Sequence, residues 1–259
     1  MCTVTQRISQ VSQPRGGYIK PSQFTVIEKN DGQILNEEEN LHPSVVGMAI
    51  DYLTRYLTGA KIDKAFEISI VGATLCEKLT KKDSLAEIAT YLANIKGNDK
   101  TSIVNACKAV TFDVWYRNLF AAFGSRNATE TNPDEATIQN IQIMLNRSLS
   151  FFKEYGPVVV DGFTFEKNGY TKTVDSGDGD FLTKDTLWDF KVSKSKPTNK
   201  HTLQLLMYWI MGIHSGKKEF KPINKLGIFN PRLNDVFLLG TNSISEDIIR
   251  AVEKDVICY

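Results

Sequence analysis

The sequence has no apolar stretch near the roughly 20 residues that a bilayer-crossing helix needs. Its opening residues, MCTVTQRISQ, lack the apolar centre of a secretory signal. Cysteine is scarce: four in 259 residues, at Cys2, Cys76, Cys107 and Cys258, with no C-x-x-C pair. That spacing argues against a zinc ribbon and offers no pattern for an iron–sulfur cluster. Net charge is almost absent, +1 at pH 7, so the chain as a whole is not a polycation. Repeats and long low-complexity linkers are also missing. The expectation is a soluble cytoplasmic protein with reduced thiols and no membrane partner.

What is present is ordinary globular material, 42% hydrophobic and 24% charged, enough to bury a core. The charge, however, is unevenly spread. Eight lysines and one acid, Glu219, lie between Lys191 and Lys225. That segment carries about +7 and the remainder about −6. A local positive block suits a polyanionic partner; on its own it equally suits a solvated surface.

Periodicity divides the chain. Residues 17–29 read as extended, with an Asp31-Gly32 turn after them. From Pro43 to Leu57, Val46, Ala49, Ile50, Leu53 and Leu57 share a helical face. Residues 63–123 read as largely helical, broken near Gly97–Asp99, and FDVWYRNLF reads as a buried aromatic cluster. Asn132 and Pro133 offer a cap and first position for a helix ending at Gly156-Pro157. The period then becomes that of strands: PVVVDGFTFE, an Asn168-Gly169 hairpin turn returning through YTKTV, then DFLT and TLWDFKV across a Lys184-Asp185 turn. Pro197 to Asn199 open a helix that runs to about Ser215 and stops at Gly216. LGIFN and VFLLG form another pair, and Ser243-x-x-Glu246 reads as a capping box for a last helix. The expected organisation is a mainly helical region over 1–130 packing on an α/β core over 131–259, whose element order is α-β-β-β-α-β-β-α.

The chemistry concentrates in DFLTKDTLWDFKV. Asp189 and Lys191 are two apart on a strand and so share a face, while Trp188, Phe190 and Val192 point to the other. Asp180 lies on the preceding strand, and the tight turn brings it beside Asp189. Two converging carboxylates repel and are costly to bury. They make sense around a hard divalent cation, Mg²⁺ or Mn²⁺, which lowers the pKa of bound water and draws charge from a phosphoryl oxygen. A lysine beside them can hold the water or stabilise developing negative charge. The triplet alone says little, since about three D/E-x-K triplets are expected by chance at this composition. The conjunction carries the reading: an acid nine residues earlier, strand periodicity through both, and a helix directly after. That helix adds Gln204 and Tyr208, four apart on one face, with Leu203, Leu206, Met207 and Ile210 opposite.

Gly177-x-x-Asp180, Asp189-x-Lys191 and Gln204-x-x-x-Tyr208, with the element order around them, resemble the core of PD-(D/E)XK nucleases. The likeness is greatest to their RecB-like and lambda-exonuclease-like branch, and it spans residues 160–212. It implies a restriction-endonuclease-like α/β core, a short central mixed sheet flanked by helices, and Mg²⁺- or Mn²⁺-dependent hydrolysis of DNA. It further implies that Asp180 and Asp189 bind the metal, with the Phe190 carbonyl a candidate to join them. Lys191 then activates or positions water, Gln204 orients Lys191 or the nucleophile, and Tyr208 supports a phosphate. Lys194, Lys196 and Lys200 follow the motif and are expected on the DNA backbone. The branch also places a metal ligand on an N-terminal helix after G-x-x-x, which here is Gly47-x-x-x-Asp51. Its iron–sulfur subset does not fit these cysteine spacings. Two alternatives stand beside the nuclease: a catalytically silent nucleic-acid-binding module of the same fold, and a structural or partner-binding protein whose basic block is only surface.

Overall fold

The structure is a computed structural model describing residues 2–166 and 168–259. The first elements in chain order are a short strand β1 (Cys2–Thr3), helix α1 (Val4–Gln10) and strand β2 (Thr25–Glu28). A helical stretch follows: α2 (Pro43–Leu57), α3 (Ile62–Ala65), α4 (Glu67–Thr80), α5 (Ser84–Ala93), α6 (Lys100–Ala109), α7 (Asp113–Arg117), α8 (Leu119–Ala122) and α9 (Glu135–Tyr155). Four strands come next: β3 (Val160–Thr164), β4 (Val174–Ser176), β5 (Asp178–Leu182) and β6 (Thr186–Phe190). Helix α10 (Asn199–Ser215), strands β7 (Lys225–Asn230) and β8 (Asp235–Gly240), and helix α11 (Glu246–Ala251) complete the order. Among the described residues no helix is long and apolar enough to cross a membrane.

The chain forms two compact units, one of residues 1–30 with 152–259 and one of residues 31–151. The boundary expected at 130/131 is therefore replaced by two others. The first thirty residues belong with the sheet because they supply one of its strands, β2, and a helix whose Val4 and Ile8 enter the sheet unit's core. The second boundary falls inside α9.

The sheet unit is α/β. Its six-stranded mixed sheet has the order β2-β8-β7-β6-β5-β3. Among the described residues, the only parallel pair in this sheet is β6 and β7, and α10 is the crossover between them. On one face, Leu182, Leu187, Leu226 and Ile228 pack in a core that includes Leu203, Leu206, Met207 and Ile210 of α10. On the other, Phe181 and Trp188 stack at 6.3 Å and meet Phe152 and Tyr155. Trp188 lies across the bare backbone of Gly227, where an added Cβ would come within 2.3 Å of its ring. Its indole N–H donates to Thr183 Oγ1 at 3.0 Å.

The helical unit buries Val46, Ala49, Ile50 and Leu53 of α2, the face its spacing predicts. Its interior holds a polar knot: Tyr52 and Ser69 donate to the Asp113 carboxylate at 2.6 and 2.5 Å. Burial pushes the Asp113 carboxyl above the usual range, against those bonds and the Arg117 guanidinium. Arg147, nearly buried, makes a two-point pair with Asp31 at 2.7 and 3.0 Å. The aromatic segment is only partly buried: Trp115 packs edge-on against Phe123 at 5.1 Å, while Tyr116 and Phe120 are exposed.

Several local expectations shift. Helix α9 starts two residues late, capped by Asp134, whose Oδ1 accepts the Thr137 amide at 2.8 Å. Ser245, not Ser243, caps α11; the Ser243 hydroxyl closes a turn on the Gly240 carbonyl at 2.6 Å. Asn168-Gly169 turns the chain but makes no tight hairpin. Gly169 instead approaches α10, where a Cβ would lie 2.6 Å from the Met211 carbonyl oxygen. The chain then pairs β4 in parallel with β1, and the antiparallel partner of β3 is β5.

Candidate active site

The β5–β6 pairing runs Leu182↔Leu187 and Phe181↔Trp188; one further step sets Asp180 opposite Asp189. Alternation puts both carboxylates on the face of Leu182 and Leu187, beneath α10. At that step a side chain enters the pairing. Lys191 N–H points to β7 and reaches the Phe229 carbonyl at 2.9 Å, so the Phe190 N–H points to β5. It finds Asp180 Oδ2 at 2.6 Å. The carboxylate thus occupies a position that a strand carbonyl would otherwise fill, fixing Asp180 against the neighbouring strand.

Asp189 is 2% exposed. Its Oδ1 accepts from Lys191 Nζ at 2.8 Å, within a pair whose lysine side chain is 29% exposed. Its Oδ2 is buried, with no hydrogen-bond partner among the described residues. An unsatisfied buried oxygen costs on the order of 1–3 kcal/mol, more when charged, and a missing ion is one standard reason for such an atom. The third residue of this face, Lys191, points the same way as Asp189, as two-residue strand spacing requires.

Gly177, first residue of the G-x-x-D run, has a packing reason. A Cβ there would stand 2.7 Å from Val4 Cγ2 and 3.7 Å from Tyr208 Cε1. The bare backbone lets α1 and α10 close over the end of β5. Its carbonyl accepts the Tyr170 hydroxyl at 2.6 Å.

Gln204 and Tyr208 do share a face of α10, and Gln204 Nε2 donates to the Tyr208 hydroxyl at 2.8 Å. Because that oxygen accepts from Gln204, its own hydrogen is left to be donated elsewhere. Burial first, and then the carboxylates of Asp189, Asp180 and Asp178, push the phenol far above its ordinary range, outweighing the Gln204 bond. Tyr208 therefore stays protonated beside three acids. The expected contrast of faces on α10 is weaker than the spacing suggests: Leu203, Leu205, Leu206, Met207 and Tyr208 are all buried.

Two residues outside the site expected from sequence belong here. Asp178, exposed on β5, lies on the Asp180 side of the strand and is felt by Tyr208. His201 sits three residues before Gln204, which places it on the same helical face; that spacing was the available signal. Burial and the Lys191 charge hold its imidazole below the usual range, partly offset by Asp189.

Lys194, Lys196 and Lys200 are exposed. Asn230, at the end of β7, anchors the turn before them: its Nδ2 donates to the Ser193 carbonyl at 2.8 Å. Asp51 is half-buried on α2, in the helical unit, so the constellation in the sheet unit consists of Asp180, Asp189, Lys191, His201, Gln204 and Tyr208. Among the described residues no three His, Cys, Asp or Glu side chains gather as a metal-holding cluster. Asp180 and Asp189 offer two carboxylates and one unsatisfied buried oxygen. That donor set fits a hard cation that keeps several waters, as Mg²⁺ does when held by one or two carboxylates. It does not fit a closed structural zinc site. No protein-family model, curated protein or solved structure matches the chain.

Proposed function

We propose that this chain is a divalent-metal-dependent nuclease that hydrolyses DNA phosphodiester bonds, with a PD-(D/E)XK site on a restriction-endonuclease-like core. The single observation that carries the reading is Asp189 Oδ2, a buried carboxylate oxygen without a hydrogen-bond partner among the described residues, opposite a second carboxylate and next to a lysine. A cation would take up the oxygen that the Lys191 pair leaves unsatisfied.

Asp180 and Asp189 would hold Mg²⁺ or Mn²⁺, which when bound supplies Lewis acidity and a more acidic water. Asp180 is already oriented by the Phe190 amide, so little ordering remains to be done. Lys191 is placed to hold an attacking water or a phosphoryl oxygen as charge grows there. Tyr208, kept protonated and positioned by Gln204, donates to a phosphate oxygen. Lys194, Lys196 and Lys200 meet the strand backbone beyond the scissile bond.

The test is incubation of the purified chain with labelled duplex and single-stranded DNA in Mg²⁺, in Mn²⁺ and in EDTA. Fragmentation in either metal that EDTA abolishes is expected. DNA left intact in both metals contradicts the reading.

A further inference from the structure

His201, Gln204 and Tyr208 fall at spacings of three and four on α10, and so form one stripe. Tyr208 lies at the end of that stripe where the charges of Asp189, Asp180 and Asp178 are felt. His201 is at the other end. Helix α10 connects parallel strands and must run back along β6. Its first turn therefore lies where β6 finishes, at Lys191. The charges of Lys191 and Asp189 act on the imidazole, in keeping with that placement.

The ring's orientation is fixed. His201 Nδ1 is the acceptor of the Thr198 backbone N–H at 3.2 Å, a first-turn contact that also serves the helix start. A nitrogen that accepts carries no proton, so the neutral ring has its hydrogen on Nε2. No group among the described residues takes up that hydrogen. A half-buried N–H beside a lysine, in line with a tyrosine hydroxyl also available to donate, is a second hydrogen-bond donor for an anion.

We propose that His201 donates a hydrogen bond from Nε2 to a non-bridging oxygen of the phosphate that Lys191 contacts. This rests on the nuclease reading above, which supplies the phosphate. The bond transfers no proton, because a neutral imidazole that lost Nε2–H would become an imidazolate. Its effect is to stabilise negative charge growing on that oxygen in the transition state. His201 and Tyr208 would then bracket the phosphate from the helix side, with Asp180, Asp189 and Lys191 on the sheet side. The competing role is purely structural, with His201 serving only to receive the Thr198 amide.

The test is single-turnover cleavage in Mn²⁺ of a DNA with one scissile linkage, made as phosphate and as each phosphorothioate stereoisomer. The His201→Gln variant keeps a side-chain acceptor for Thr198, since glutamine suits this helix position, and its melting temperature is checked against wild type. Sulfur is a poor acceptor, so wild type slows on the isomer that places sulfur opposite Nε2. In His201→Gln the rate on ordinary phosphate falls about tenfold or more, and the penalty for that one isomer shrinks. Nitrogen-15 shifts of the wild-type ring should also report Nε2–H. Equal loss on all three substrates, an unchanged rate, or an Nδ1–H tautomer overturns the proposal alone. A wild-type protein inert in both Mg²⁺ and Mn²⁺ overturns the nuclease reading, and this proposal with it.

Discussion

Asp180 Oδ2 accepts the backbone amide of Phe190 at 2.6 Å, so one carboxylate serves both the β5–β6 pairing and the candidate metal site. The two duties separate by substitution. Asp180→Asn keeps an oxygen for the amide but loses the charge; Asp180→Ala loses both. In EDTA, Asp180→Asn should melt within a few degrees of wild type, whereas Asp180→Ala should lose about 1–2 kcal/mol, the scale of a stranded buried amide. Titration calorimetry with Mn²⁺ should show weakened binding in both. Wild-type Mn²⁺ affinity in Asp180→Asn would remove it from the ligand set.

Lys191 is not separable from the fold in the same way. It pairs with a carboxylate that is 2% exposed, and removing it takes away the ion-pair partner of a buried Asp189. Lys191→Ala should cost about 3 kcal/mol in EDTA, at the low end for breaking a buried pair because the lysine is part-exposed. Mn²⁺ should recover much of that loss, since the cation takes over the neutralising role. Thermal melts with and without Mn²⁺ decide it. A variant equally stable in both conditions would show that the lysine, and not a cation, is all that Asp189 needs.

Much of this was legible in the sequence. Strand spacing gave Asp189 and Lys191 a common face, a two-residue turn set Asp180 against Asp189, and Gly216 stopped α10 with φ 69. What was not legible depended on contacts distant along the chain. The glycine at 169 looked like a turn residue because pattern cannot distinguish positive φ from close approach to Met211. Residues 2–28 read as part of the helical region because their partners, β4 and β8, come more than a hundred residues later. The spacing of His201 puts it on the Gln204 face, but its burial and the nearby Lys191 charge depend on the fold and not on local pattern.

The basic run after β6 should act through phosphate charge. Replacing Lys194, Lys196 and Lys200 with Ala should weaken DNA binding and make the slope of log affinity against log salt shallower by about 2 to 3, close to one counterion per lysine. All three are exposed, so the melting temperature should hardly move. An unchanged slope would place the DNA elsewhere.

The helical unit has an acid-sensitive clasp. The Arg147 hydrogen bonds hold the Asp31 carboxyl below its usual range. A depressed carboxyl adds stability fully present above the unfolded value, about 3.9, and lost as pH falls through the folded one. Wild type should therefore melt above Asp31→Asn at pH 6, and the gap should close below about pH 4. A gap constant from pH 6 to pH 3 would mean the pair contributes through shape alone.

The central claim is that the unpartnered Oδ2 of Asp189 exists for a catalytic cation. Its most direct test is single-turnover cleavage of labelled DNA in Mg²⁺ and in Mn²⁺, at saturating protein, comparing wild type with Asp189→Asn. Saturation separates chemistry from binding. The prediction is cleavage by wild type in at least one metal, none in EDTA, and a fall of about a hundredfold or more in Asp189→Asn, the scale of lost transition-state charge stabilisation, with DNA still bound. Cleavage by Asp189→Asn at the wild-type rate, or none by wild type in either metal, would contradict it.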